Sequence, residues 1–265
     1  MASPRTARGG TPNRFIPWGL GAIGFLLVAL IWYGVSVSNL FRSGLVPTPF
    51  AVAETLYDAY RAGTLTGHIL ASVRRILIGV VVGVAAAVPV GFLLGWYRPI
   101  RAMIDPLINF FRALPPIALI PLVIVYFGIG ESARISVLIY ASFFAAVVVI
   151  YEGIISIEDL YVRAAQTLGA TPFEIFSKVV LPLSVPHILV AFRVALGVSW
   201  ATVVAAELIA AQDGLGAYIQ NASNFFQIPA VYGGIILIGA AALIMDRLVR
   251  LLTARLIRWQ GRMDR

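Results

Sequence analysis

The chain has no cysteine, which excludes disulfide bonds, thiolate catalysis and cysteine-ligated metal sites. Charge is also scarce: only 12% of the 265 residues are charged, about half of the roughly 25% that is typical of soluble domains. Hydrophobic residues make up 60% of the chain and its mean hydropathy is +0.92. We therefore expect lipid to be the main solvent of this protein.

Lysine is nearly absent, since Lys178 is the one lysine among the 20 basic residues. A Walker-A phosphate loop needs the sequence Gly-Lys-Ser/Thr, but Lys178 lies between Ser177 and Val179. The chain is therefore not expected to hydrolyse ATP by that mechanism. The two histidines, His68 and His187, are far apart in sequence, so neither a metal site nor a cofactor is predicted.

Long uncharged runs predict an all-α membrane protein with six transmembrane helices. A bilayer core is crossed by about 20 apolar residues in helical form. The predicted spans lie near 16–37, 76–97, 114–129, 135–151, 185–211 and 229–252. They form one transmembrane domain, 15–255, between two basic tails, 1–14 and 256–265.

The distribution of Lys and Arg predicts the orientation of these spans, because basic residues accumulate in cytoplasmic segments. With the N-terminus inside, the inner segments hold 14 basic residues: Arg5, Arg8, Arg14, Arg98, Arg101, Arg112, Arg163, Lys178 and six arginines from Arg247 to Arg265. The outer segments hold five: Arg42, Arg61, Arg74, Arg75 and Arg134. Both termini are thus predicted to be cytoplasmic. This bias accounts for the net charge of +8, and no nucleic-acid partner is expected.

Small residues recur every four positions in the second predicted span: Gly79, Gly83, Ala87, Gly91 and Gly95. Residues four apart share one face of a helix. Such faces allow close approach of helix backbones in lipid. The stripe predicts a helix packed inside a bundle.

A polar insert, residues 156–184, separates the fourth and fifth spans on the predicted cytoplasmic side. Ser156 is predicted to cap a first short helix, with Asp159 near its positive end. Gly169 follows that helix and suits a left-handed terminating residue.

A second short helix is predicted to restart at once. Thr171, Pro172 and Glu174 have the spacing of a capping box with proline at the first helical position. This helix is expected to stop near Leu181, because Pro182 disfavours helical geometry in the residue before it. The insert suits either docking to a cytoplasmic protein or an amphipathic helix at the membrane surface.

The insert resembles the EAA loop of bacterial ABC-importer permeases. It contains Arg163-Ala164-Ala165, three residues, Gly169, nine residues, then Val179-Val180-Leu181-Pro182, and the family pattern is Glu-Ala-Ala, three residues, Gly, nine residues, Ile-x-Leu-Pro. The spacing is kept throughout. Arg163 replaces the usual Glu and reverses its charge.

Further motifs resemble the branch that imports nitrate, sulfonates and taurine. They are Leu45-Val46-Pro47-Thr48-Pro49, His68 with Ser72-Val73-Arg74, Pro115 to Pro121, Phe127 to Glu131, Val203-Val204-Ala205-Ala206-Glu207 and Gly214-Leu215-Gly216. The resemblance covers residues 45 to 255.

The resemblance implies a type I ABC-importer permease fold without a catalytic site. In that family two permeases form the path in the bacterial inner (plasma) membrane, two ATPase subunits dock beneath, and an extracytoplasmic binding protein delivers a small solute. The second copy is most simply the same chain, and the solute an anion. The residues implied in ATPase coupling are Arg163, Ala164, Ala165, Gly169, Phe173, Phe176, Leu181 and Pro182.

Charged groups within spans are costly and suggest function. Arg193, Trp200 and Glu207 recur every seven residues in the fifth span, which makes them candidates for the translocation path. For Glu207 a structural ion pair or capping role is the alternative, and Arg193 is also a candidate snorkelling anchor. Arg74, Arg75 and Arg134 are expected at the outer rim, where they supply positive potential or face the binding protein. Arg112 is expected to stay at the inner surface.

Two other classes of protein agree less well with the sequence. A secondary transporter or channel should carry ionisable residues near the middle of several spans, and here only the fifth span has such candidates. A membrane enzyme should show clustered His, Asp or Glu at one surface, and no such cluster appears in the sequence.

Overall fold

The structure, a computed structural model, describes residues 16–38 and 45–256, so the predicted tails lie outside it apart from residue 256. The described residues contain eleven α-helices and no strand. The helices are α1 (Ile16–Val37), α2 (Pro49–Arg61), α3 (Thr64–Trp96), α4 (Arg98–Ala113), α5 (Pro116–Phe127), α6 (Glu131–Ile155), α7 (Asp159–Thr167), α8 (Pro172–Ile175), α9 (Leu181–Ala210), α10 (Leu215–Asn224) and α11 (Ile228–Leu256). A π-helical segment, Phe176–Val180, joins α8 to α9.

Four of the described helical stretches are long and apolar enough to cross a membrane: α3, α6, the continuous stretch Pro172–Ile209, and α11. The pair α4 and α5 passes the same test jointly, although the two helices are bent by 91°. In α1 the apolar part with described side chains, Ile23–Val37, is shorter than those spans. The described residues thus show four or five spans by length and composition, against the six that the sequence predicts.

Several helices differ from the predicted boundaries; α6, for example, covers Glu131–Ile155, where 135–151 is predicted. The second span was placed at 76–97, but α3 begins at Thr64, because Arg74 and Arg75 do not end the helix. The third was placed at 114–129, but α5 covers only Pro116–Phe127 and follows a sharp bend. Pro115 and Pro116 account for this bend, since proline restricts the preceding residue to extended geometry.

The core forms where α3, α6 and α9 pack side by side, and the glycine stripe of α3 faces α6. A Cβ atom added at Gly83 would lie 2.8 Å from the backbone oxygen of Ile139. Cβ atoms added at the other glycines of the stripe would lie 2.5 to 2.6 Å from α6 side chains: at Gly79 from Leu138, at Gly91 from Ile150 and at Gly95 from Ile154. The stripe is a helix-packing surface inside the bundle, as predicted.

The polar insert begins differently from the prediction. Ser156 is the C-cap of α6 and its hydroxyl donates to the carbonyl oxygen of Gly153, so it does not start α7. That helix is preceded by Glu158 in extended geometry. Gly169 has φ +79°, and the capping box between Thr171 and Glu174 is complete, both as predicted.

The predicted stop near Leu181 is wrong, because the chain passes through the π segment directly into α9. A proline within an α-helix lacks an N–H and its ring collides with the carbonyl four residues earlier. The wider π turn avoids that collision, and the N–H of Leu181 bonds the carbonyl of Phe176, five residues back. The second half of the polar insert is therefore a rigid extension of α9.

We expect Gly83→Ala to lower the stability of the bundle by about 1–3 kcal/mol, the usual cost of overpacking. The added methyl group meets backbone, which cannot rotate away. Thermal unfolding in detergent, followed by size-exclusion chromatography, measures the effect.

Gly67→Ala in the same helix is the matched control, since a Cβ there meets nothing within 4 Å. Alanine favours helix over glycine by about 1 kcal/mol, so the control should be neutral or slightly stabilising. Equal melting of both variants would contradict the packing assignment.

Candidate functional site

A buried ion cluster joins α3, α6 and α9 at one end of the bundle, and Arg75 is its centre. The Arg75 side chain is 2% exposed. Its Nη1 donates to Oε1 of Glu207 at 2.7 Å and to the backbone oxygen of Asp213 at 2.8 Å, while Nε donates to Oε2 of Glu131 at 3.0 Å. Nη2 also bonds the carboxylates of Glu131 and Asp213. One planar guanidinium, with five donors, thus connects three helices and the loop before α10.

Glu207 is the most enclosed member, with a side chain that is 0% exposed. Its Oε2 accepts from the backbone N–H of Gly216 at 2.9 Å, and both carboxylate oxygens lie within 2.9 Å of the hydroxyl of Ser72. That hydroxyl accepts from the N–H of Leu215 at 2.8 Å, and His68 Nδ1 accepts from the N–H of Gly214 at 3.1 Å. The free amides at the start of α10 are therefore satisfied by side chains of α3 and α9.

Gly214 and Gly216 are required by this contact. Gly214 has φ +112°, and a Cβ there would lie 2.3 Å from the carboxylate of Glu207. A Cβ at Gly216 would lie 2.7 Å from the backbone oxygen of Val204. The two motifs Val203-Val204-Ala205-Ala206-Glu207 and Gly214-Leu215-Gly216 are thus two halves of one structural unit.

The cluster has an exposed side as well. The side chains of Glu131 and Asp213 are 48% and 58% exposed, and Arg134 Nη1 bonds Glu131 Oε1 at 2.8 Å. Hydrogen bonding to Arg75 holds the pKa of Asp213 below its usual value. We call this set of six connected side chains the Arg75 cluster: Ser72, Arg75, Glu131, Arg134, Glu207 and Asp213.

Two of the three arginines predicted to supply positive potential or to face the binding protein are buried instead. Arg75 and Arg134 are 1% and 8% exposed and their charges are balanced by carboxylates. Arg74 alone is exposed. A positive potential from all three at this end is therefore excluded.

The polar insert lies at the opposite end, beside the C-terminal ends of α3 and α6. No residue of α7 is buried. Leu168 and Phe173 are 88% and 76% exposed, which is unusual for side chains of this kind outside lipid. Phe176 points the other way and packs edge-on against Phe92 and Trp96, with ring centroids 5.4 and 5.8 Å apart.

The remaining predicted coupling residues are arranged along this surface. Arg163 is 77% exposed and its guanidinium lies 3.9 Å from the carboxylate of Asp159, a weak surface pair. Ala165 is half-buried against the core. Ala164, Gly169, Leu181 and Pro182 are exposed.

Residues 79–258 match the family model described as the binding-protein-dependent transport system inner membrane component. The chain belongs to this family. A probable ABC transporter permease protein of Brucella abortus (strain 2308) is 46% identical over 92% of this chain and 96% of its own length. The taurine transport system permease protein of Escherichia coli (strain K12) is 36% identical over 94% of this chain and 92% of its own. The resemblance to the ABC-importer permeases of the nitrate, sulfonate and taurine branch is thereby confirmed.

The permease fold is also found among solved structures. The chain superposes on the MetNI methionine ABC transporter, in an inward-facing conformation, with a TM-score of 0.63 and 21% identity, covering 73% of this chain and 94% of the other. At this identity the likeness concerns the fold alone.

Two of the three path candidates of the permease are buried, and the third is partly exposed and paired with a carboxylate. Glu207 belongs to the Arg75 cluster, and Trp200 is 5% exposed within the core. Arg193 Nε bonds Oδ1 of Asp246 in α11 at 3.1 Å. Their spacing of seven residues places them along α9 but does not bring them together, and each has its own surroundings.

Sequence reasoning missed Arg75, Glu131, Asp213 and Ser72 as members of one site. The available signal was Glu207 itself, since a carboxylate within a predicted span needs a cation at the same level. Arg75 meets that need only if α3 starts well before it.

We expect Glu207→Gln to destabilise the permease by about 3–5 kcal/mol, the usual cost of removing one partner from a buried ion pair. Asp213→Asn should cost far less, because water reaches its exposed carboxylate. Melting temperatures of the purified variants in detergent measure this order.

The double variant Arg75→Met with Glu207→Leu is the control for the pair. It should be more stable than the sum of the two single effects implies, because no uncompensated charge is left between those two positions. Strict additivity, or an equal effect of Asp213→Asn, would contradict the assignment.

Proposed function

We propose that this chain is the non-catalytic permease subunit of a bacterial ABC importer for a small organic anion of the sulfonate or taurine class. The observation that carries the proposal is the polar insert: a bent, exposed, capped element that is continuous with a membrane-spanning helix. The relationship to the taurine permease supports the solute class. ATP hydrolysis is assigned to a partner chain.

The polar insert is the proposed docking site of an ABC ATPase, with one ATPase for each permease copy. Leu168 and Phe173 offer exposed apolar contacts, and the left-handed bend at Gly169 sets the angle between α7 and α8. Phe176 fixes the base of the element on α3. Because α8, the π segment and α9 are continuous, a displacement of α8 by the ATPase acts directly on the span α9.

The proposed topology has six spans with both termini in the cytoplasm. Adding α1 and the broken pair α4 and α5 to the four long stretches gives six. The excess of 14 inner over five outer basic residues supports this orientation. In this proposed orientation the polar insert lies at the cytoplasmic surface of the inner membrane, and the Arg75 cluster lies at the opposite, extracytoplasmic surface.

A second copy of the same chain and an extracytoplasmic binding protein complete the proposed importer. The path then lies between the two copies, within the lipid bilayer. The binding protein supplies most of the selection among solutes.

The test is ATP-dependent uptake of taurine into proteoliposomes that hold the permease, its cognate ATPase and its binding protein. We expect uptake only with ATP inside and the binding protein outside. Uptake that continues without ATP would instead support the secondary transporter.

We expect Gly169→Asp to abolish transport and ATPase binding while membrane insertion persists. A Cβ at Gly169 meets nothing within 4 Å in this chain, and a left-handed non-glycine residue costs only about 1–2 kcal/mol. The main effect of the change is thus a charged group on the docking surface.

Gly63→Asp is the matched control, since Gly63 has φ +74° and is equally open but lies before α3, at the opposite end of the bundle. It should keep ATPase binding and uptake. If Gly169→Asp transports at the normal rate, the docking assignment is wrong.

A further inference from the structure

Arg112 lies at the middle of the bundle, although the sequence suggests the inner surface. Helix α4 crosses α6: the hydroxyl of Tyr151 donates to Oδ1 of Asp105 at 2.6 Å, and the hydroxyl of Tyr140 donates to the backbone oxygen of Phe111. The ring of Phe111 stacks on Phe144 with centroids 5.7 Å apart. Since α6 covers Glu131–Ile155, both Tyr140 and Phe144 are near its midpoint. Arg112 follows Phe111 directly, so its backbone is at the same level.

Helix α4 has three different faces, which follow from 3.6 residues per turn. The face packed on the core contains Ile100, Ile104 and Ile108. An exposed apolar face contains Met103, Leu107 and Phe110. Between the packed face and solvent lies a polar stripe, defined here as Arg101, Asp105, Asn109 and Arg112. The polar stripe runs from the polar-insert end of the bundle up to the bend at Pro115.

The upper end of the polar stripe is open and positively charged. Arg112 is exposed, and across residues 16–38 and 45–256 the structure gives it no hydrogen bond and no ion pair. Asp105, about two helical turns before Arg112, is already bonded to Tyr151. The amide of Asn109 donates to the backbone oxygen of Asp105 at 3.0 Å, which leaves its carbonyl oxygen available.

A bare guanidinium at this depth is costly in hydrocarbon, so ionisable groups of this kind face a water-filled space. The apolar face with Leu107 and Phe110 suits lipid, and the polar stripe does not. The two faces therefore indicate which side of α4 borders lipid and which side borders an aqueous path.

We propose that Arg112 is an anion-binding residue on the translocation path, where its guanidinium receives the sulfonate or similar anionic group of the solute beside the bend between α4 and α5. This inference rests on the proposed function for the class of solute. A planar guanidinium matches such oxyanions with two parallel hydrogen bonds. Just beyond Arg112 the broken span bends, and α5 turns away from α4 by 91°.

The location is tested first, without reference to any solute. Because the chain has no cysteine, single cysteines can be placed at will and modified in the assembled transporter with a charged, membrane-impermeant methanethiosulfonate. We expect Arg112→Cys and Asn109→Cys to react, in the nucleotide-free or the vanadate-trapped state, and Leu107→Cys and Phe110→Cys to stay protected. An unreactive Arg112→Cys in both states, or equal labelling of Leu107→Cys, overturns the inference.

The role is tested by taurine uptake in the complete transporter. Arg112→Gln should lower the uptake rate about tenfold, as expected for the loss of one charge-assisted hydrogen bond, and Arg112→Lys should lower it less, because the charge is kept while the two parallel hydrogen bonds are not. Both variants should still assemble with the ATPase and elute as the complete complex in size-exclusion chromatography, which a general folding defect would not allow. Full uptake by Arg112→Gln overturns the inference.

The two proposals fail in different ways. If the wild-type transporter does not take up taurine, the proposed solute class is wrong, and the labelling pattern still decides whether Arg112 faces the path. If the wild type transports and both Arg112 variants do so equally well, only the anion-binding inference is lost.

Discussion

The buried guanidinium of Arg75 is the constraint on which the rest of this structure depends. A charge taken out of water must be matched by carboxylates and hydrogen bonds, and here Glu131, Glu207 and Asp213 come from different parts of the chain. Satisfying one residue therefore fixes the relative positions of α3, α6 and α9. It also fixes the start of α10, because Glu207 and Ser72 hold its first amides.

Helix α9 connects that constraint with the polar insert. It begins at the π segment and reaches Glu207 after 26 residues, roughly 39 Å at 1.5 Å per residue. One end is anchored in an ion cluster and the other continues into the exposed polar insert. A continuous helix transmits displacement as a rigid body, so movement at α8 is felt along the span. The close, glycine-lined contact between α3 and α6 lies beside α9.

The sequence predicted those features that rest on local geometry. Gly169 adopts the left-handed conformation, and Thr171 with Glu174 forms the capping box, because both depend on residues within one turn. The glycine stripe needed only helical periodicity. The polar insert was also found from its composition, but its end was misplaced, since a π turn removes the collision that Pro182 would cause in an ordinary helix.

Composition and local pattern thus determined that this is a helical membrane protein with a packed small-residue face and a capped polar insert. Only the tertiary structure decided which charged residues are buried, which are paired and which are exposed. Arg75 and Arg134 look like surface arginines in sequence, yet partners up to 138 positions away bury them. The sequence suggests that Arg112 lies at the membrane surface. Because α4 crosses α6 at Phe111, the backbone of Arg112 lies near the middle of the bundle instead. Whether a charge is buried, paired or open depends on which residues lie opposite it, and that is a property of packing rather than of local sequence.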